Sequence, residues 1–380
     1  MRILLALALL SPTIALAASC ALAGFNRVDE DAGVQGGAGG GAGADAGTDA
    51  DCEHAGFPAR PSITYAGGDL DLVFALRSLR VAPLPDGGPV GIDLDETCTC
   101  QGQGSSCVAP NDAAVCDQAG GRDNALAKVF PLLGLIMGGQ DLSTLYTTMA
   151  EQGGWSLLIR VRDYDGQADD DRVRVAWYIS PGTPSFTPPQ WQGADQWQVS
   201  PGSVGVGSDG GPDIDSPVVQ DERAYVSGGV LVAGFPSAEL VMSGGGQNQS
   251  WMAITITQGG VMGRLVPPED EGGTGFWRLS DATLGGRIGM DDMFRALGSF
   301  RNDQGNPICT SDGTYMTGKD TLCSLPDILT TYGLPNHPCD AISVGISFAA
   351  VQAVIGQIQP LQTLTPGCDP DHDPAFDHCP

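Results

Sequence analysis

The sequence predicts a mainly β protein: an antiparallel β-sandwich with helical insertions at both flanks, stapled by disulfides, with α+β as the alternative. Three observations lead there. In Trp155-Ser156-Leu157-Leu158-Ile159-Arg160-Val161-Arg162 and again in Arg172 to Ile179 the odd positions are apolar, the period of two half-buried strands flanking a loop. Short strand-like runs separated by glycine recur from Tyr225 to Ile288. The chain also carries 11 cysteines, a number that suits an oxidising compartment.

Reading from the start, Met1-Arg2 precedes an apolar run, Ile3 to Leu10, too short to span a bilayer, and small residues follow. This predicts a signal peptide over residues 1–19. Ala15-Leu16-Ala17 suits ordinary signal peptidase, whereas Ser19-Cys20 suits the lipoprotein enzyme, although Ala17 stands where that enzyme usually meets Leu. Lipid on Cys20 removes one thiol from an odd count. The remaining Cys52, Cys98, Cys100, Cys107, Cys116, Cys309, Cys323, Cys339, Cys368 and Cys379 are then expected in disulfides. Asp29 to Asp51 is almost entirely Gly, Ala and Asp, with no apolar side chain larger than Val34. It reads as a flexible tether within a lipid-anchored linker over residues 20–56, and a Gly-rich coil of that length spans roughly 25 to 30 Å.

A single folded domain is expected over residues 57–360, followed by a Cys/Asp/His-rich tail over 361–380. Leu70 to Val81 is the first strand, and a cysteine-dense loop follows. Cys98 and Cys100 are poorly placed to bond each other, so each is expected to reach Cys107 or Cys116, with a zinc site as the rival. Two helices follow: Asn124 to Met137, weakened by Pro131, and Asp141 to Gln152, with Asp141 as its cap. Pro181 to Pro217 lacks a period and reads as an irregular excursion. Tyr225 to Ala233, Ala238 to Met242, Trp251 to Thr257, Val261 to Val266, Phe276 to Leu279 and Thr283 to Ile288 read as short strands, with Gly259-Gly260 as a hairpin turn. Asp291 to Leu297, Ser324 to Thr331 and Ile342 to Ile358 read as helices.

Lys+Arg 18 against Asp+Glu 45 gives a net charge of −27. Such a surface repels nucleic acid and anionic headgroups, so no nucleic-acid partner is expected. Tyr225-Val226-Ser227-Gly228-Gly229-Val230-Leu231-Val232, Gly263-Arg264-Leu265, Trp277-Arg278-Leu279-Ser280 and Cys98-Thr99-Cys100 to Gly121-Arg122-Asp123-Asn124 together resemble a group of secreted lipoproteins of myxobacteria-like Gram-negative bacteria. The likeness spans roughly Ile63 to Ile358. It implies location and carries no activity to any residue.

Among candidate sites, Asp163, Asp165, Asp169, Asp170 and Asp171 lie in the loop of the predicted hairpin, and hard cations such as calcium take several oxygens from one loop. The rival reading, which weighs more, is a solvated turn balanced by Arg160, Arg162, Arg172 and Arg174. Asp93-Leu94-Asp95-Glu96 forms a second acidic cluster, joined by Asp123 if Cys116 is tied back. Turn and cap roles are favoured for these. In the tail, Cys368, His372, His378 and Cys379 offer zinc or copper ligands, but a small disulfide loop is simpler. Gly205-Val206-Gly207-Ser208-Asp209-Gly210 satisfies a dinucleotide pattern without the strand and helix that pattern requires. No His-Glu-x-x-His and no Gly-x-Ser-x-Gly occurs, so zincin and serine-hydrolase readings lack their signatures.

Trp191 and Trp197 fall in the irregular excursion and are the candidates for a sugar-stacking platform. Taken together, these features predict an exported, outer-membrane lipoprotein, periplasmic or at the cell surface. Its non-catalytic binding or adhesive domain would take an extracellular glycan or protein, with calcium as the one cofactor. A polysaccharide hydrolase and a structural envelope component are the alternatives.

Overall fold

A computed structural model describes residues 52–380 apart from 64–66, 84–87, 111–113, 137–138, 140, 244–250, 269–274, 303–304, 332–333, 335 and 362–366. The predicted signal peptide, Cys20 and the tether lie outside the described residues. The fold is mainly β, but its sheet is a closed barrel where the sequence predicts a sandwich. Its strands are β1 (Leu70–Arg80), β2 (Ser156–Tyr164), β3 (Asp170–Ser180), β7 (Val219–Ser227), β8 (Val230–Ser243), β9 (Trp251–Val266), β10 (Arg278–Gly289) and β11 (Ala341–Ile358). Each pairs antiparallel with the next, and β11 returns to β1, Val73 opposite Ala353 and Arg80 opposite Ser347. Closure removes both sheet edges, which a sandwich would have to protect.

The predicted hairpin stands as read, Ser156 opposite Ser180 and Arg162 opposite Arg174. Its odd residues Leu157, Ile159, Val161, Val173, Val175 and Trp177 join Phe74, Phe235, Ile254, Leu284, Val344 and Ile346 in the main core. An eight-stranded barrel is just wide enough for such side chains to fill its interior.

Several strand assignments differ from the expectation. The predicted helix Ile342 to Ile358 is strand β11, because Ile342, Val344, Ile346 and Phe348 alternate with Ser343, Gly345 and Ser347, a period of two that a helix cannot present to one face. Tyr225 to Ala233 is two strands, turned at Gly228-Gly229, whose φ of 57° and 78° suit a tight hairpin. Gly259-Gly260 is no turn; it lies inside β9. A Cβ on Gly259 would come within 2.5 Å of the Phe235 ring, and one on Gly260 within 2.6 Å of Phe57, so both glycines make room for aromatics. Phe276 to Ile288 yields one strand, β10, with an irregularity between Leu279 and Ala282.

The excursion after Pro181 contains β4 (Gln196–Val199), which pairs parallel with the end of β11, and the small hairpin of β5 (Val204–Val206) and β6 (Pro212–Pro217). It covers a second apolar patch on the barrel's outer face, formed by Ala75, Leu158, Ala176 and Tyr178. Helices α1 (Leu126–Ile136), α2 (Leu142–Glu151) and α3 (Met290–Ser299) form as predicted, and Asp141 caps α2 by accepting from the Thr144 N–H at 2.7 Å. Phe130, Leu133, Tyr146, Met149, Phe294 and Leu297 from these helices join the main core. The predicted helix Ser324 to Thr331 is absent. The helix there is α4 (Gly313–Leu322), which ends before Pro326, as the restriction on residues preceding proline favours. Among the described residues no helix is long and apolar enough to cross a membrane.

All ten predicted cysteines are bonded, as Cys52–Cys98, Cys100–Cys116, Cys107–Cys339, Cys309–Cys368 and Cys323–Cys379. Cys100 reaches Cys116 as expected, whereas Cys98 and Cys107 find partners outside the loop. Cys98 does so because residues 52–55 run along the loop, with the Ala55 N–H on the Gly120 carbonyl and the Asp93 N–H on the Ala55 carbonyl. Among the described residues, Cys52 and Ala55 are thus already tied to the folded unit ahead of Phe57. Cys107 meets Cys339 because Val108 pairs beside Pro338. These pairings leave no free thiol for the rival zinc site. The tail likewise forms no small ring of its own: Cys368 and Cys379 tie it to Cys309 and Cys323, and Asp377 bonds Lys319 at 2.7 Å and Tyr315 at 2.8 Å.

Candidate functional site

The cysteine-rich segment, residues 90–110 and 114–125, lies as a cover against the outer wall of β10 and β11. It sits close because glycines face it: a Cβ on Gly345 would fall 2.8 Å from the Gly91 Cα, and one on Gly285 2.9 Å from Ile92. Asn124 reaches under the cover to donate to the Val81 carbonyl at 2.7 Å and to accept from the Gly345 N–H at 3.1 Å.

Between cover and wall lies a buried group of carboxylates. Oxygens of Asp93, Asp95 and Asp123 lie within 4.8 Å of one another. Asp123, only 1% exposed, accepts from the Leu94 N–H at 2.7 Å. Asp95 accepts from the Thr97 N–H at 3.0 Å and from the Ser106 hydroxyl. Asp93 faces His54, Oδ2 to Nδ1 2.5 Å, and accepts from the Glu96 N–H at 2.7 Å. Asp117 and Asp327 stand nearby, the first accepting from the Thr99 N–H at 2.6 Å, the second from the Ser343 N–H at 2.9 Å. Buried Arg287 contributes positive charge, bonded to the Leu94 carbonyl at 2.6 Å and to Gln258 at 2.8 Å.

Burial is the main reason Asp95, Asp117, Asp123 and Asp327 hold their protons more tightly than usual. Asp117 and Asp327 are pushed up to about 7, and Asp95 and Asp123 are also raised, with mutual repulsion adding to desolvation. The arrangement can keep protons or take up a hard cation. Asp93, Asp95 and Asp123 are the residues that would hold one. The second convergent group, His54, Asp93 and Cys98, is not a metal set, since the Cys98 sulfur is spent on Cys52.

The loop acids behave differently. Asp163 forms a two-pronged pair with Arg174, which holds its carboxyl below the ordinary range. Asp165 caps the Gln167 N–H at 2.8 Å, and Asp169 accepts from the Gly228 N–H at 2.7 Å. Asp170, fully buried, accepts from the N–H groups of Asp165 and Arg172, and Asp171 receives Arg60 at its backbone carbonyl. No three of these carboxylates converge among the described residues. Arg160 points elsewhere, to Asp71 at 2.6 Å and Asp215 at 2.7 Å.

Trp191 and Trp197 do meet, ring centres 5.5 Å apart. Trp197 is fully buried in the outer patch and Trp191 packs half-buried against it, with Arg77 across its ring. They plug the excursion onto the barrel; no open stacking face results.

One opening in the wall went unread in the sequence. The β7–β8 ladder holds only where Tyr225, Val226 and Ser227 meet Val232, Leu231 and Val230. Beyond it the strands part over a small pocket lined by Val175, Trp177, Val219, Ala233 and Phe235. There the Gly234 N–H is taken by the Asp221 side chain at 2.8 Å, and the buried Trp177 Nε1 has no partner among the described residues. Only the two-residue turn Gly228-Gly229 hinted at this hairpin.

No family model matches the chain, and neither a curated protein nor a solved structure does.

Proposed function

We propose that this chain is an exported, non-catalytic binding domain, anchored outside the cytoplasm through lipid on Cys20, that presents a rigid barrel to an extracellular or envelope protein. The observation that carries this reading is the set of five disulfides, each pinning a terminal segment, the cover or a helix. Such bonds persist in oxidising compartments, and loops fixed before contact lose less freedom on binding. Protein is favoured over glycan because Trp191 and Trp197 are occupied in packing. The resemblance to secreted lipoproteins of predatory bacteria agrees with this location. Calcium belongs to the same reading as a shared counter-charge for Asp93, Asp95 and Asp123, whose oxygens converge and of which burial raises Asp95 and Asp123.

The test is to present the oxidised chain to a glycan array, to a panel of purified envelope proteins and to dye-linked polysaccharides. Saturable binding to an envelope protein, without release of colour, is the expected result. Colour release would replace the reading with a hydrolase, and co-purification with envelope material without any saturable ligand would replace it with a structural component.

A further inference from the structure

The five disulfides are not equally open to attack. We propose that Cys100–Cys116 is a reversible thiol-exchange site, whose bond takes an electron pair from a dithiol while the other four bonds hold the fold. The site stands apart from the binding-domain reading and does not depend on it.

Three independent features single this bond out. It joins two exposed cysteines, whereas Cys98, Cys107 and Cys339 are buried and Cys52, Cys309, Cys323, Cys368 and Cys379 are half-buried. Exchange requires a thiolate to reach a sulfur, so access ranks the bonds. Cys100 also stands third in a turn closed by the Gln101 N–H on the Cys98 carbonyl at 2.9 Å, with a φ of 68°. Left-handed backbone at that position suits glycine and strains cysteine, and strain carried by the oxidised form favours reduction. Finally, Cys100–Cys116 spans 16 residues, against 46, 56, 59 and 232 for the others. The shortest loop constrains the unfolded chain least, so this bond is the one whose opening costs the fold least.

The exchange balances without a further reactant. A thiolate of the dithiol attacks one sulfur, forming a mixed disulfide and releasing the other cysteine as a thiolate. The second thiol of the dithiol then displaces the first cysteine. Two electrons and two protons end on Cys100 and Cys116, and the dithiol leaves as a disulfide. The flanks of the pair are held independently of sulfur. The Thr99 N–H donates to the Asp117 carboxylate at 2.6 Å and the Asp117 N–H to the Thr99 carbonyl at 3.3 Å, while the Gln101 amide donates to the Asp117 and Gln118 carbonyls at 3.3 and 2.6 Å. These contacts keep the two thiols within reach of each other, so the bond can re-form without refolding.

The test titrates the oxidised full chain with buffers of reduced and oxidised dithiothreitol, and in a parallel arm with a reduced Cys-Gly-Gly-Cys peptide, followed by alkylation and peptide mass mapping. Cys100 and Cys116 should be alkylated at a dithiol-to-disulfide ratio at least tenfold lower than any other cysteine. The chain should keep a cooperative melting transition, and oxidised dithiothreitol should restore the bond. Reduction in both arms assigns the exchange to protein dithiols as well as small ones; reduction by dithiothreitol alone assigns it to small dithiols. The double variant Cys100→Ser, Cys116→Ser should fold with its other four bonds and take up no electrons in that range. Another pair opening first, Cys100 and Cys116 opening only as the chain unfolds, or a bond that does not re-form would overturn the site.

Discussion

Asp327 accepts twice from Ser343, from the backbone N–H at 2.9 Å and from the hydroxyl at 2.5 Å, and the same hydroxyl accepts from the Ala125 N–H at 2.8 Å. One side chain on β11 thus fixes both the start of α1 and the segment between Cys323 and Cys339. Ser343→Ala leaves a buried carboxyl and a buried N–H short of partners, a loss of about 1–3 kcal/mol. A urea midpoint unchanged from the parent would refute this role.

The carboxylate cluster sets a pH dependence. Asp117 and Asp327 rise to about 7, with Asp95 and Asp123 also raised by burial, against about 3.9 in the unfolded chain. The folded state therefore binds more protons than the unfolded one between pH of about 4 and about 7, and stability falls as pH rises through that window. Asp163, paired with Arg174, is shifted down; its contribution is present above its unfolded value and lost in stronger acid. With chelator present, the urea midpoint should be higher at about pH 5 than at about pH 7.5. A midpoint that rises with pH would contradict the cluster, and Asp327→Asn should flatten the fall.

Under the proposed function, calcium would answer the same charge. If Asp93, Asp95 and Asp123 hold it, melting at pH 7.5 should rise by several degrees in millimolar calcium relative to chelator, and Asp123→Asn should abolish the rise. The variant Asp165→Asn in the β2–β3 loop should keep it. Equal melting with and without calcium would leave protons as the counter-charge.

The local patterns were legible where one face is buried and the partner is adjacent in sequence, as in the β2–β3 hairpin and the Asp141-capped helix. They misled where closure is long-range. After Phe348, strand β11 is apolar at Ala349, Ala350 and Val351, and a run without alternation suits a buried helix as well as a strand. What decides is its pairing with β1, more than 260 residues earlier, which no local period encodes. Glycine pairs were ambiguous for a related reason: Gly228-Gly229 turns and Gly259-Gly260 does not, because Phe235 and Phe57 press on the latter. At the candidate site, Asp93, Asp95 and Asp123 could be grouped through the Cys100–Cys116 staple. Asp327 could not, because it enters by way of the Cys107–Cys339 bond.

The disulfides should differ in weight. Cys107–Cys339 closes a separation of 232 residues and Cys100–Cys116 one of 16, so chain entropy assigns about 5 kcal/mol to the first and about 3 kcal/mol to the second. Replacing each pair by alanine, with the other disulfides formed, should lower the urea midpoint more for Cys107/Cys339. The reverse order would mean that the remaining bonds already restrict the long loop in the unfolded chain.

The close seat of the cover on the barrel gives the sharpest prediction. Gly345 on β11 faces Gly91, and a Cβ at 345 would stand 2.8 Å from the Gly91 Cα and 2.8 Å from the Asn124 side chain. The first of these is backbone and cannot step aside, so Gly345→Ala must push the cover outward. The displacement would strain the Asn124 contact to the Gly345 N–H and admit water to Asp123 beneath. Overpacking of this kind costs about 1–3 kcal/mol, and water reaching Asp123 weakens the desolvation that raises its carboxyl. The variant should therefore be less stable than the parent and should also show a shallower fall in stability between about pH 5 and about pH 7.5. A glycine that only relieves local crowding would change the first reading and leave the second untouched.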